Sequence, residues 1–161
     1  MIRLCDSTIY VIGPISGLNY YDTQSVDLAR ELDPLAAWNA IMDHPQRALK
    51  LAFWLRDAIS SWFGVKRIGG FSGQKTDRVT VGDHLDFFLV EHIDETSLVL
   101  TERDSHLDVM TCVSTDGRTV CVTSSVLVHN LFGHLYMIPV GIAHRWIVRG
   151  MLRRLKQHSS A

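Results

Sequence analysis

Residues 102–130, ERDSHLDVMTCVSTDGRTVCVTSSVLVHN, alternate apolar and polar side chains around a central Asp116-Gly117 pair, and few folds accommodate such a segment. An Asp-Gly pair is a strong signal for a two-residue hairpin turn, because that turn needs positive φ, which these residues tolerate. Period-two alternation on either side makes each flank a strand with one apolar face. If Thr115 faces Arg118, then Val113 faces Val120, Cys112 faces Cys121 and Val109 faces Ser124. One face then carries Leu107, Val109, Thr111, Val113, Val120, Val122, Ser124, Val126 and Val128. The other carries His106, Asp108, Met110, Cys112, Cys121, Thr123, Ser125, Leu127 and His129. The first set is the core face, and the second reads as the outer, wetter side of a half-buried sheet.

Turns at Asp104-Ser105 and Asp94-Glu95 extend the pattern upstream into an antiparallel meander of four strands, about 84–92, 97–103, 106–114 and 118–129. Continued parity puts Leu98, Leu100 and Glu102, and then Phe87 and Leu89, on the core face. Glu102, Thr111 and Ser124 are therefore polar exceptions on an aliphatic surface. Burying an unpaired carboxylate costs several kcal/mol, so Glu102 is paired, wet at a strand end, or lining a cavity that takes something polar. It is the leading candidate for a functional side chain.

Helical signals flank the meander. Asp33 before Pro34 is a capping side chain followed by a residue that suits the first helical position, which predicts a helix over 34–42. Asp43 and Pro45 repeat the pattern, and Ala48, Leu51, Ala52, Leu55, Ile59 and Trp62 form a stripe ending at Gly64, predicting a second helix over 45–63. GGFSGQKTDRVTVGD, residues 69–83, reads as a long loop, with no strand and helix around it to make a nucleotide-binding glycine loop. YYDTQSVDLA reads as an edge strand leading into helix. After Asn130, which can cap a helical turn, Pro139 disfavours helical geometry at Ile138, so the main C-terminal helix is predicted over 139–157 with a kink near IPVG.

With 161 residues, 47% of them hydrophobic, the chain fits one globular domain spanning 1–161, in which residues 1–20 are either a first strand or a tail. A net charge of −1 gives no overall electrostatic case for nucleic acid. The apolar run TIYVIGPI is too short for a secretory or membrane-spanning segment, so a cytoplasmic protein is expected. Three cysteines without a Cys-x-x-Cys pair argue against a disulfide scaffold or a zinc site. Cys112 and Cys121, facing one another across the hairpin, are expected to remain thiols in a cytosol. His106, His129 and Asp104 gather at one end of the outer face but lack a metal-site spacing, and neither metal nor cofactor is expected.

On the last helix Arg145, Arg149, Arg153 and Lys156 recur at helical spacing, opposite Ala143, Ile147, Gly150 and Met151. Arg154 falls on the apolar side, which predicts that the final turn leaves the core. Tyr136, His134 and Trp146 belong to the segment that leads into and forms this helix. Tyr136 is the most attractive of them, since its ring packs on apolar matter while its hydroxyl offers a hydrogen bond.

Three motifs, HPQRALKLAFWLRDAIS, ERDSHLDVMTCVS and NLFGHLYMIPVGIAHRWIVRGMLRRL, together resemble an uncharacterised bacterial branch of the START-like (SRPBCC) superfamily, over about residues 20–157. The resemblance implies an α+β helix-grip fold, a curved antiparallel sheet wrapped around a long C-terminal helix with two helices before the main meander. It also implies a deep apolar cavity between sheet and helix, used across the superfamily for lipids, polyketides and hormones.

The leading expectation is a protein that binds a hydrophobic small molecule, with Glu102, Thr111, Ser124, Tyr136 and Trp146 around it. The first alternative is a cyclase- or hydratase-type enzyme with Glu102 as general acid or base. The second is a membrane-surface or protein-interaction module working through the basic C-terminal helix.

Overall fold

The computed structural model describes residues 1–4, 8–43 and 74–159. The helix expected over 45–63, Cys5 and part of the loop expected over 69–83 lie outside the described residues. The elements are β1 (Ile2–Arg3), β2 (Tyr10–Val11), a 3-10 turn (Ile15–Gly17), β3 (Tyr20–Asp27) and α1 (Pro34–Met42). They are followed by β4 (His84–Leu85), β5 (Phe88–Ile93), β6 (Ser97–Arg103), β7 (Leu107–Asp116), β8 (Thr119–Val128) and a long C-terminal helix, α2 (Leu131–Ser159). The class is α+β: six strands form a curved antiparallel sheet in the order β3-β8-β7-β6-β5-β4.

The β7–β8 hairpin turns one residue later than the Asp-Gly pair suggests. Asp116 pairs with Thr119, so the two loop residues are Gly117 and Arg118, and Gly117 supplies the positive φ of 56°. Thr111 therefore stands opposite Ser124, Cys112 opposite Thr123, and Cys121 opposite Ser114, so the two cysteines are not cross-strand partners. The displacement is two positions, an even number, which leaves every residue of both strands on its expected face.

β5 is different. The expected strand over 84–92 is split by a tight turn at Asp86 and Phe87, with Asp86 at φ 57°, and a bulge lies between Val90 and His92. The extra residue reverses the strand's parity. Phe88 and Val90, not Phe87 and Leu89, are the buried core residues, while Leu89 pairs with Thr101 toward the other face.

The outer face is not wet. Residues 8–12 run across it, and Ile12 clusters with Val99, Met110 and Cys112 beneath Tyr10, Leu18 and Leu127. Its hydroxyls serve the crossing backbone: Ser125 Oγ accepts from Ile12 N at 3.0 Å, and Ser97 Oγ donates to the Thr8 carbonyl at 2.6 Å. Cys112 Sγ accepts from Tyr10 N, and burial pushes its thiol up to about 12, so it stays protonated. Ser125 is fully buried. Replacing it with valine keeps the strand former but orphans the Ile12 N–H, and is expected to cost about 1–3 kcal/mol in a urea titration. A change within error would mean that the N-terminal segment does not depend on this bond.

The helices obey their end signals. Asp33 Oδ1 accepts from Ala36 N at 2.8 Å ahead of Pro34, and Asn130 Oδ1 accepts from Gly133 N at 3.0 Å at the start of α2. Contrary to expectation, α2 does not begin at Pro139 but runs through it. Pro139 and Leu135 both lie exposed, so water can take the Leu135 carbonyl that a proline cannot satisfy. Arg154 is exposed, yet Leu155 is buried next to it, so the last turns stay on the core. Val148, Met151, Leu152 and Leu155 pack with Trp38 and Ile41 of α1 against Leu98, Leu100 and Val113 of the sheet.

Candidate functional site

Between the inner face of the sheet, α1 and the first five turns of α2 lies a cavity of about 250 Å³. From the helix it is lined at three- and four-residue intervals by Tyr136, Val140, Ala143, His144, Ile147 and Val148. α1 adds Trp38 and Ile41, and the β4–β5 turn adds Phe87. The sheet contributes Val109, Val113 and Val122 together with Glu102, Thr111 and Ser124, and the β6–β7 turn adds Asp104, which was expected beside His106 and His129 on the outer face. The three polar exceptions of the core face thus meet in one place.

Glu102, half-buried near the end of β6, lines the cavity on the same side as its cross-strand partner Val109. Tyr136 also lines it, its ring stacked on Phe132 with centroids 6.2 Å apart. Trp146 does not belong with them. It is 69% exposed on the opposite side of α2, under the Arg149 guanidinium, because residue 146 falls nearly half a turn away from Ile147 and Val148 when both face inward. His134 is exposed as well.

Two side chains that the sequence did not single out complete the polar end. Tyr20 of β3 bonds through its hydroxyl to the Gly141 carbonyl at 3.2 Å and to His144 Nδ1 at 3.3 Å. Ser124 Oγ lies 3.4 Å from His144 Nε2. Tyr20 sits edge-on to the imidazole, and its ring occupies the space that a β-carbon on Gly141 would need, at 2.9 Å. A glycine in mid-helix weakens α2, and here it admits the tyrosine.

One assignment of protons makes all three contacts hydrogen bonds. The Gly141 carbonyl can only accept, so it takes the single Tyr20 proton, and Nδ1 donates to the Tyr20 oxygen. Nε2 is then a lone pair, and the Ser124 hydroxyl donates to it. Burial lowers the His144 pKa from its usual value, with the nearby Arg145 charge acting in the same direction and Asp22 opposing both. The ring is neutral at pH 7. Burial likewise raises Tyr20 to about 12. Asp22 faces the same side as Ser124 but is tied to Arg145 Nε at 3.3 Å and to Gln24 Nε2 at 2.7 Å.

Ser124, His144 and Tyr20 have the order of a nucleophile, a base and an orienting group. Ser124 nevertheless sits in mid-strand between β3 and β7, where ladder bonds occupy the local backbone, rather than on a turn that would present free N–H groups to an oxyanion. The arrangement suits polar recognition better than acyl transfer.

The outer-face histidines have local partners. His129 pairs with Asp108 at 3.1 Å, and His106 Nδ1 with Asn130 at 2.8 Å. Among the described residues no three metal-ligating side chains converge, and no helix is long and apolar enough to cross a membrane.

Fold and site together define an α+β protein with an apolar cavity, polar at one end, between an antiparallel sheet and a long C-terminal helix. The sequence model of a family of proteins of unknown function (DUF2867) matches residues 14–151, and the chain belongs to that family. No curated protein and no solved structure matches it.

Proposed function

We propose that the protein is a START-like, helix-grip domain that binds a hydrophobic small molecule in this cavity without transforming it. The observation that carries the reading is the lining: aliphatic and aromatic side chains from α1, sheet and α2, interrupted only by a few polar groups, as ligand pockets are built. Glu102, Thr111, Ser124 and Tyr136 are the orienting groups, joined by His144. The order of elements, meander then long helix across its inner face, supports the helix-grip assignment.

Native mass spectrometry of freshly purified protein is expected to show a co-purified adduct. Titration with Nile red is expected to give saturable, blue-shifted emission that an alkyl ligand displaces. Nile red emission that rises linearly, with no displacement, removes the reading.

A second reading rests on the opposite side of α2, where Leu131, Leu135, Ile138, Ile142 and Trp146 form an exposed stripe at helical spacing beside Arg145 and Arg149. An apolar stripe with basic neighbours matches an anionic lipid surface. Sedimentation with phosphatidylserine vesicles is expected to bring the protein down, and Ile142→Glu to release it. Protein left in the supernatant with those vesicles removes this reading.

A further inference from the structure

We infer that the polar end of the cavity is a hydroxyl-recognition site, formed by Ser124 and Thr111 and held in one hydrogen-bonding state by His144 and Tyr20, and that it selects apolar ligands ending in an uncharged hydroxyl over the same chain ending in an anion. The inference rests on the binding function proposed above and names the ligand class.

Three observations carry it. Thr111 and Ser124 are direct cross-strand partners, which places their β-carbons about 5 Å apart, so one oxygen between them can reach both hydroxyls. Thr111 is 9% exposed, lines the cavity, and has no hydrogen-bond partner for its hydroxyl among the described residues. Its side chain lines the cavity, where a ligand oxygen would supply the missing partner. The Ser124 proton is committed to His144 Nε2, because the Tyr20 bridge holds the imidazole proton on Nδ1.

The complementarity follows. Ser124 Oγ keeps lone pairs and has no spare proton, so it accepts. Thr111 is free to donate. A ligand hydroxyl does both, giving its proton to Ser124 and receiving the Thr111 proton. An ether oxygen answers only Thr111. An anion also answers only Thr111; Tyr20, neutral His144, Ser124 and Thr111 offer it no compensating charge, and Glu102 and Asp104, the carboxylates lining the same cavity, repel it. Arg145, the cation beside Tyr20, lies over the tyrosine ring and pairs with Asp22, and it does not line the cavity. His144 and Tyr20 act here through Ser124, as positioning residues.

The test is a matched series, octanol, octyl methyl ether and octane sulfonate, titrated against Nile red at pH 8. Octanol is expected to bind about fivefold to tenfold more tightly than the ether, and the sulfonate at least about a hundredfold more weakly than octanol. Ser124→Ala is expected to bring octanol down to the affinity that the same variant shows for the ether. Thermal unfolding and direct Nile red titration of each variant report that it still folds and binds. Tyr20→Phe, which unlocks the imidazole tautomer, is expected to narrow the ratio of octanol to ether affinity measured on that variant. Equal affinity of octanol and ether, or a sulfonate that binds as well as octanol, overturns the inference while the binding function stands. Failure of all three to displace the dye overturns both.

Discussion

Replacing Thr111 with phenylalanine is expected to abolish the binding of apolar ligands, by a hundredfold or more, in a protein as stable as the native chain or more so. The position faces the cavity from the middle of β7, between Val109 and Val113 on the same face. The added ring has free volume to enter, because the cavity of about 250 Å³ is much larger than the difference between the two side chains. Overpacking usually costs about 1–3 kcal/mol, but only where neighbours must move. Here the ring gains apolar burial worth about 25 cal/mol per Å² and gives up a hydroxyl that has no partner among the described residues. Both residues suit a strand. Nile red titration and thermal unfolding of the same sample check the result. Lost binding with a lower melting temperature would point to damage to the fold rather than a filled pocket. Retained binding would place the ligand elsewhere.

That position 111 faces inward was legible in the sequence, and the reason is physical. Face assignment depends only on parity, and the hairpin's actual turn differs from the expected one by an even displacement, so Thr111, Ser124 and Glu102 fell on the correct side although their partners were misassigned. The same logic failed at β5, where one bulge residue exchanged Leu89 for Val90. A bulge leaves little trace in the alternation, since Phe87, Phe88, Leu89 and Val90 are all apolar.

The outer face misled for another reason. Its serines look like solvated positions, but Ser97 and Ser125 are the bonding partners of a segment about a hundred residues earlier, and no local pattern announces such a pairing. His144 was missed although it follows Val140 by four residues on the lining face of α2. The helical period held that information, but a histidine among apolar neighbours acquires meaning only once Tyr20 and Ser124 are beside it. Trp146 erred in the opposite direction, because its size attracted a role that its angle around the helix denies. The start of α1 was readable, as Asp33 acts through a bond three residues long, whereas at α2 Asn130 promised only one turn and Pro139 drew the expected start of the main helix too late.

The opposite substitution on the same row of the sheet should have the opposite consequence. Leu100 pairs with Thr111 on one side and Val90 on the other, and it is 0% exposed at the centre of the core. Truncating it to alanine is expected to cost about 2–5 kcal/mol, the sum of lost transfer free energy and of a new void that a close-packed sheet cannot close. For a single domain whose total stability is about 5–15 kcal/mol, that is a large fraction. The measurement is a guanidinium titration in which the midpoint falls while the slope is unchanged, because the surface exposed on unfolding barely differs. Leu100 is absent from the cavity lining, so ligand affinity in the folded protein should change little. A loss under about 1 kcal/mol would mean that the cavity's empty volume extends beneath β6 and that the core there is not packed. Two neighbours on one inner face would then respond alike, whereas the structure divides them: volume added at 111 enters space that is already empty, and volume removed at 100 leaves space that nothing fills.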